Sequence, residues 1–375
     1  MITRKVAKQI EQDFFKGKAI IIFGARQVGK TTLTETILKK HRKNVLTFNG
    51  DDADIREIFD KPTAVRMGNI VGKNNIVVFD EAQRIPDIGI IMKLFTDQVK
   101  DIQVIATGSS SLELADKLNE PLTGRKYEHL LFPISFSEMV DHHGLVEELR
   151  QLKHRLIFGY YPEIVTSPGE EIRLLKLLSS SYLYKDIFAL NKVKKPHMLD
   201  KLVRALALQV GSEVSFNEVS RLIGLDKGTV ETYINLLEKA FVVYRLAAYS
   251  RNLRNEIKKG QKVYFYDNGI LNAIIGNFAP AELRPDIGAL WENYVISERI
   301  KLNAYRGFYG RSYFWRTTQQ QEIDYIEEVD GKLTAFEFKW NPKKKARFPK
   351  TFLNAYEIES TMVVTPENID AFLLG

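Results

Sequence analysis

Gly24-Ala25-Arg26-Gln27-Val28-Gly29-Lys30-Thr31-Thr32 fits the pattern G-x-x-x-x-G-K-[ST] without a mismatch. The apolar, β-branched run Ala19 to Phe23 (AIIIF) precedes it, and Thr32 to Lys40 (TLTETILKK) reads as a helix, so the loop joins a buried strand to a helix N-terminus. A loop in that position binds phosphate. Gly24 and Gly29 let the backbone fold back and turn its N–H groups toward an anion, with Gln27, Val28 and Thr32 among the contacting residues. The helix end adds positive potential, and the Lys30 ammonium reaches the β- and γ-phosphates. Thr31 is left to ligate Mg²⁺.

A chain of 375 residues, 45% hydrophobic and 27% charged, buries substantial cores and is long enough for two or three domains. The longest apolar runs, AIIIF and IVVF, fall far short of a bilayer span. The opening residues MITRKVAKQIEQDFFKGK hold no continuous apolar segment to serve as a signal peptide. With no cysteine, disulfide and zinc-thiolate chemistry are excluded, so the expectation is a cytoplasmic protein with no membrane partner. The net charge of +7 is uneven. Residues 1 to 150 hold 22 Lys/Arg against 21 Asp/Glu, and the remainder 32 against 26. That asymmetry fits a nucleic-acid-facing C-terminal portion, and equally a solvated basic surface.

Five stretches have strand character: 19 to 23, Val45 to Phe48, Ile76 to Phe79, Ile102 to Ala106, and Tyr127 to Leu131. Helical segments such as Ile90 to Val99 separate most of them. Alternation of this kind predicts a mostly parallel α/β sheet. In IVVFDEAQR a fully apolar run ends abruptly in Asp80 and Glu81, and two adjacent carboxylates at the end of a buried strand are hard to explain by packing. In a nucleotide site Asp80 holds the Mg²⁺ shell and Glu81 orients or deprotonates the attacking water. The run IQVIATGSSS ends another buried strand in hydroxyl residues. Thr107 or one of the serines is therefore placed to hydrogen-bond the γ-phosphate or the water, while Ser109 to Ser111 equally read as a helix N-cap. Arg125, just before the fifth strand, is placed to neutralise transition-state charge in its own subunit or, in a homo-oligomer, in a neighbour's.

Taken in order, GARQVGKTTL, VVFDEAQRIP, IATGSSSLEL, LTGR and LLFPISFSEM resemble the P-loop ATPases of the AAA+ superfamily, in the archaeal and bacterial branch that carries a C-terminal domain of unknown function. YYPEIV, YLYKDIF and LWENYVISERI resemble that C-terminal domain. The resemblance implies ATP and Mg²⁺ as cofactors. It also implies Gly24, Gly29, Lys30 and Thr31 as Walker A, Asp80 and Glu81 as Walker B, Thr107 as sensor 1, and Arg125 as an arginine finger.

Residues 145 to about 196 carry Leu, Tyr and charged residues at helical spacing and read as a helical lid and linker. From Leu199 the stripe Leu199, Leu202, Val203, Leu206 and Val210, then Asn217-EVSRLIG, then TVETYINLLEKA give three helices. Two strands follow, Phe241 to Ala248 and Val263 to Tyr266, completing the outline of a winged helix-turn-helix. Its third helix is expected to expose Glu231, Asn235 and Glu238 beside Lys227, and the two glutamates repel phosphates. Its wing offers Arg251, Arg254, Lys258, Lys259 and Lys262, so DNA contact through the wing and a purely packing role are both open.

Past a helix at 290 to 300, EIDYIEEV, the turn Asp330-Gly331 and LTAFEFKW form a hairpin that puts Asp324 on one strand and Glu337 and Lys339 on one face of the next. Asp-x12-Glu-x-Lys, with Glu292 on the preceding helix, resembles the PD-(D/E)xK restriction-endonuclease-like nucleases. That resemblance implies Asp324 and Glu337 as Mg²⁺ ligands and Lys339 as the group acting on water. Glu-x-Lys also arises as a cross-face salt bridge on a hairpin. Lys343, Lys344, Lys345, Arg347 and Lys350, with no acid from 341 to 350, offer phosphates a surface.

The expected organisation is an AAA+-like core at 1–144, a helical lid at 145–196, a winged helix-turn-helix at 197–275 and a nuclease-like α/β domain at 276–375. The expected function is an Mg-ATP hydrolase acting on DNA, whose nucleotide state controls the C-terminal part. The alternative is a nucleotide-dependent switch or scaffold whose nuclease-like fold is a non-catalytic binding module.

Overall fold

The structure is a computed structural model that describes residues 1–60, 62–99, 101–108, 114, 117–182, 187, 196–250 and 260–375. It divides into two compact units, the first built on Met1–Pro133 and the second on Ile134–Tyr182, 196–238 and Val242–Gly375.

The first unit is a five-stranded sheet with strands β1 (Ala19–Phe23), β2 (Val45–Asn49), β3 (Ile76–Asp80), β4 (Gln103–Gly108) and β5 (Lys126–Leu130). Their spatial order is β2-β3-β4-β1-β5, and every pairing is parallel. All five residues of β1 and all six of β4 are buried, which is why β1 reads as an unbroken apolar run and β4 as an apolar centre, Val104 to Ala106. Phe48, Phe59, Phe79 and Phe95 pack ring against ring beside β3. The expected parallel sheet is borne out.

The second unit holds a seven-stranded mixed sheet. Its strands are β6 (Glu213–Val214), β7 (Val243–Ala248), β8 (Gln261–Phe265), β9 (Arg311–Arg316), β10 (Glu322–Val329), β11 (Lys332–Phe338) and β12 (Ile358–Val364), in the order β12-β11-β10-β9-β7-β8-β6. The helices Pro196–Ala207, Phe216–Ile223 and Lys227–Lys239 precede the antiparallel pair β7–β8. β7 also pairs in parallel with β9, Ala247 facing Tyr313 and Ala248 facing Phe314, so the strands after the three helices and the C-terminal hairpin share one sheet. The Asp330-Gly331 turn forms with φ of 52° and 83°, the left-handed pair that a tight hairpin needs. Tyr313, Trp315, Ile323, Ile326, Leu333 and Phe352 make an apolar cluster on the sheet.

Two expectations about the middle segment are corrected. Asn235 and Glu238 do not stand free on the third helix: Arg245 donates to Asn235 Oδ1 at 2.6 Å and forms an ion pair with Glu238. Lys262, counted among the wing charges, is 1% exposed and points into a cluster of acids. Arg251, Arg254, Lys258 and Lys259, like Ser109 to Ser111 and most of YLYKDIF, lie outside the described residues. Among the described residues no helix is long and apolar enough to cross a membrane.

Candidate active site

The loop after β1 closes on the helix Lys30–Leu38. Gly29 caps that helix with φ 91° and Gln27 takes φ 59°, both left-handed, which turns successive peptide groups in opposite senses and forms an anion-binding concavity. A Cβ on Gly24 would stand 2.2 Å from the Leu131 carbonyl oxygen, so the loop lies directly on the chain leaving β5. Lys30 is buried, and its Nζ donates to the carbonyls of Gly24 and Ala25 at 2.9 Å each, which holds the ammonium over the loop.

The acidic end of β3 stands beside it. Thr31 Oγ1 donates to Asp80 Oδ2 at 2.9 Å, and Thr107 Oγ1, at the end of β4, donates to Asp80 Oδ1. The Glu81 N–H donates to Asp80 Oδ1 at 3.2 Å and to Thr107 Oγ1 at 3.4 Å. Glu81 itself adopts φ 48°, a strained left-handed conformation for a residue with a side chain. Gly50 makes room for it, since a Cβ there would stand 2.4 Å from the Glu81 carbonyl oxygen. Glu81 Oε2 accepts from Gln83 Nε2 at 2.6 Å. Gln83, buried one short turn after Glu81, was not singled out from the sequence; its signal is the proximity to the acidic pair. Arg4 was also missed. It donates to Val28 O at 2.8 Å and to Phe132 O at 2.6 Å.

Gly24, Lys30, Thr31, Asp80, Glu81 and Thr107 thus converge at the C-terminal edge of the parallel sheet, with Gln27, Val28 and Thr32 in the same loop and helix start. Arg125 does not join them. Its carbonyl accepts from the Ala19 N–H at 2.9 Å, and its Nε donates to Asp97 Oδ1 at 2.9 Å, at the end of β1 remote from the loop. The five residues of β1 put about 13 Å between these two edges.

The residues of this edge fit Mg-ATP. The loop supplies N–H groups and an ammonium for phosphates, while a hydroxyl and a carboxylate already in mutual contact supply two oxygen donors for a hard cation.

In the second unit, Asp324, Glu337 and Lys339 also converge. Lys339 Nζ lies 2.8 Å from Glu337 Oε2 and 3.6 Å from Asp324 Oδ2, and Asp324 Oδ2 accepts from the Phe338 N–H at 2.8 Å. Glu292, on the helix Ile287–Arg306, accepts from Lys262 Nζ at 3.0 Å and from Tyr264 OH at 2.6 Å, and Lys262 also reaches Glu322 at 2.5 Å. Burial pushes the Glu292 carboxyl up to about 7, with Lys262 opposing the rise and Asp324 adding to it. Burial and then Asp324 push Glu337 up to about 7 against the pull of Lys339. Burial draws Lys262 down, yet Glu292, Glu322 and Asp324 outweigh it and hold the ammonium charged. Among the described residues no group of three or more His, Asp or Glu is arranged to hold a metal ion. Lys339 lies between Asp324 and Glu337, and Lys262 between Glu292 and Glu322.

Residues 16–140 match the family model described as an AAA domain. Residues 149–281 and 287–373 match two models, each described as a domain of unknown function. With the loop and acidic edge, this makes residues 16–140 an AAA-type P-loop ATPase domain. An uncharacterized protein of Mycobacterium tuberculosis is 25% identical over 345 residues, 90% of this chain and 73% of the relative. An uncharacterized protein of Methanocaldococcus jannaschii is 27% identical over 318 residues, 73% of this chain and 65% of the relative. Among solved structures, the RuvB Holliday junction branch migration motor of Thermotoga maritima superposes with a TM-score of 0.34 at 17% identity, covering 70% of this chain and 92% of that one. A Pif1 helicase from Bacteroides gives 0.27 at 16% identity over 46% and 52%. Superpositions this loose carry no argument about function.

Proposed function

We propose that the protein is an Mg-ATP-hydrolysing switch that acts on DNA, in which nucleotide state governs how the C-terminal segment engages the nucleic acid. The observation that carries the hydrolase reading is the chain Thr31–Asp80–Thr107 beside Lys30 and Glu81. Bound Mg²⁺ would supply charge neutralisation at the phosphates, held by Thr31 and Asp80. Lys30 and the loop N–H groups hold the phosphates, and Glu81 takes the proton of the attacking water. Thr107 holds Asp80 and the Glu81 backbone in register. Arg125, remote from this edge in its own chain, serves a neighbouring subunit in a homo-oligomer.

DNA as the partner is supported by the exposed Lys343, Lys344, Lys345, Arg347 and Lys350, and by the excess of Lys and Arg after residue 150. The three helices ahead of the β7–β8 pair support a winged-helix reading of the middle segment. In the C-terminal sheet, Lys262, which the nuclease pattern does not include, pairs with Glu292 and Glu322, which favours a binding module over a nuclease. The convergence of Asp324, Glu337 and Lys339 supports the nuclease-like fold as a second reading, and Mg²⁺-dependent DNA cleavage lost in Lys339→Ala would promote it.

The test of DNA action is electrostatic. Binding of duplex and single-stranded DNA is expected to weaken steeply between 50 and 200 mM salt, on the order of tenfold or more for a few phosphate contacts. Reversal of Lys343, Lys344 and Lys345 to Glu is expected to flatten that dependence. Binding indifferent to both salt and reversal would sink the DNA reading and leave the ATPase untouched.

A further inference from the structure

Arg4 precedes residues 16–140, which the AAA model matches, and no motif of the sequence includes it. It is 9% exposed. Its two terminal nitrogens serve different segments: Nη1 donates to Val28 O at 2.8 Å, inside the phosphate-binding loop, and Nη2 donates to Phe132 O at 2.6 Å, just beyond β5. We propose that Arg4 is a positioning residue for nucleotide binding, whose guanidinium fixes the Val28–Gly29 peptide so that the Gly29 N–H faces the phosphates. The inference rests on nucleotide binding at this loop.

A trans peptide is planar, and its carbonyl and its N–H point in opposite directions. A donor that holds Val28 O from outside the loop therefore aims the Gly29 N–H to the other side. Gly29, at φ 91°, carries no Cβ to fix this orientation, and it lies close to the clamp: a Cβ built there would be 3.9 Å from Arg4 Nη1. If that peptide flipped, a carbonyl would face the anion in place of a donor, replacing attraction by repulsion.

The second arm refers the loop to the sheet. Leu131 N donates to Phe23 O at 2.7 Å, and the Leu131 carbonyl is what a Cβ on Gly24 would strike, so residues 131 and 132 form the bed of the loop. Arg4 ties the far end of the loop to that same bed. A planar fork with several donors can bond two carbonyls on separate segments in fixed geometry, whereas a lysine offers a single point charge. The guanidinium also adds positive potential beneath the loop.

The test is ADP titration by calorimetry, without magnesium, on the full chain as wild type, Arg4→Lys and Arg4→Met. Thermal unfolding without nucleotide and steady-state hydrolysis accompany it. The expected result is an ADP affinity about tenfold or more weaker in Arg4→Met, in line with a hydrogen bond to a charged group, and intermediate in Arg4→Lys. KM for ATP should rise in parallel while kcat stays within about threefold, because the aimed N–H binds substrate and transition state alike. A lowered unfolding midpoint with wild-type ADP affinity and KM well below that midpoint would overturn the proposal and leave Arg4 a fold residue. Should Arg4→Met fail to fold, Arg4→Lys decides alone: weakened ADP binding in the folded variant supports the clamp, and wild-type affinity refutes it. Failure of the wild type to bind ADP would instead overturn the nucleotide site, a result separable from either.

Discussion

Thr31 and Asp80, 49 positions apart in the chain, meet in a hydrogen bond of 2.9 Å from the hydroxyl to the carboxylate. The contact exists because β1 and β3 are parallel and both run toward the same edge of the sheet, so the start of one following helix faces the end of the other strand. Thr31→Ala and Asp80→Asn should each shift the Mg²⁺ dependence of hydrolysis to higher concentration, by about tenfold or more. The double variant should lose less than the product of the two effects, because both remove the same cation environment. Independent, fully multiplicative losses would mean that the two groups do not share a ligand.

Arg125 is held by Asp97 at the edge opposite Lys30. A contribution to hydrolysis therefore has to cross between subunits. Mixing Arg125→Ala chains with Lys30→Ala chains should restore part of the lost activity, since a mixed interface has one intact loop facing one intact arginine. A mixed oligomer that stays inactive would assign Arg125 to the Asp97 pair alone, and its loss would then cost no more than a surface ion pair, roughly 0 to 1 kcal/mol.

The pH dependence of the second unit follows from Glu292. Its carboxyl ordinarily titrates at 4.5 and is pushed up to about 7 by burial, so between those values the folded state holds a proton that the unfolded chain has released. Stability from this group is greatest below pH 4.5 and is lost as pH rises through about 7. Glu292→Gln mimics the protonated form at every pH. Its unfolding midpoint relative to wild type should thus move in the variant's favour between pH 5 and pH 8, by a few degrees. A shift in the opposite sense would mean that the ion pair with Lys262 outweighs burial.

The sequence made the nucleotide edge legible because its parts obey local rules. A glycine-spaced loop between an apolar strand and a helix has few other uses, and Asp80-Glu81 breaks an apolar run where packing gives no reason for it. The central strands β1, β3 and β4 were readable for a related cause, since buried strands leave apolar segments, whereas β2 and β5 are only partly buried. Contacts made across the chain were not readable. Lys262 looks like one more wing cation in QKVYF, and only the register of β8 beside the helix Ile287–Arg306 turns it toward Glu292 and Glu322. Asn235 and Glu238 read as an exposed face until Arg245, from the following strand, is brought to them. Arg4 has no periodic or motif signal at all, because its role depends on two carbonyls, 24 and 128 residues away.

The central claim is that the Thr31–Asp80–Thr107 edge binds Mg-ATP and that Glu81 serves its hydrolysis. It is tested most directly by measuring ATP binding and turnover side by side in wild type, Lys30→Ala and Glu81→Gln. Lys30→Ala should weaken nucleotide binding by tenfold or more, since it removes a charge from the phosphates. Glu81→Gln should bind ATP as wild type does and turn over at least about a hundredfold more slowly, the scale of losing a positioned base. Equal loss of ATP binding in both variants, or wild-type turnover in Glu81→Gln, would contradict the account.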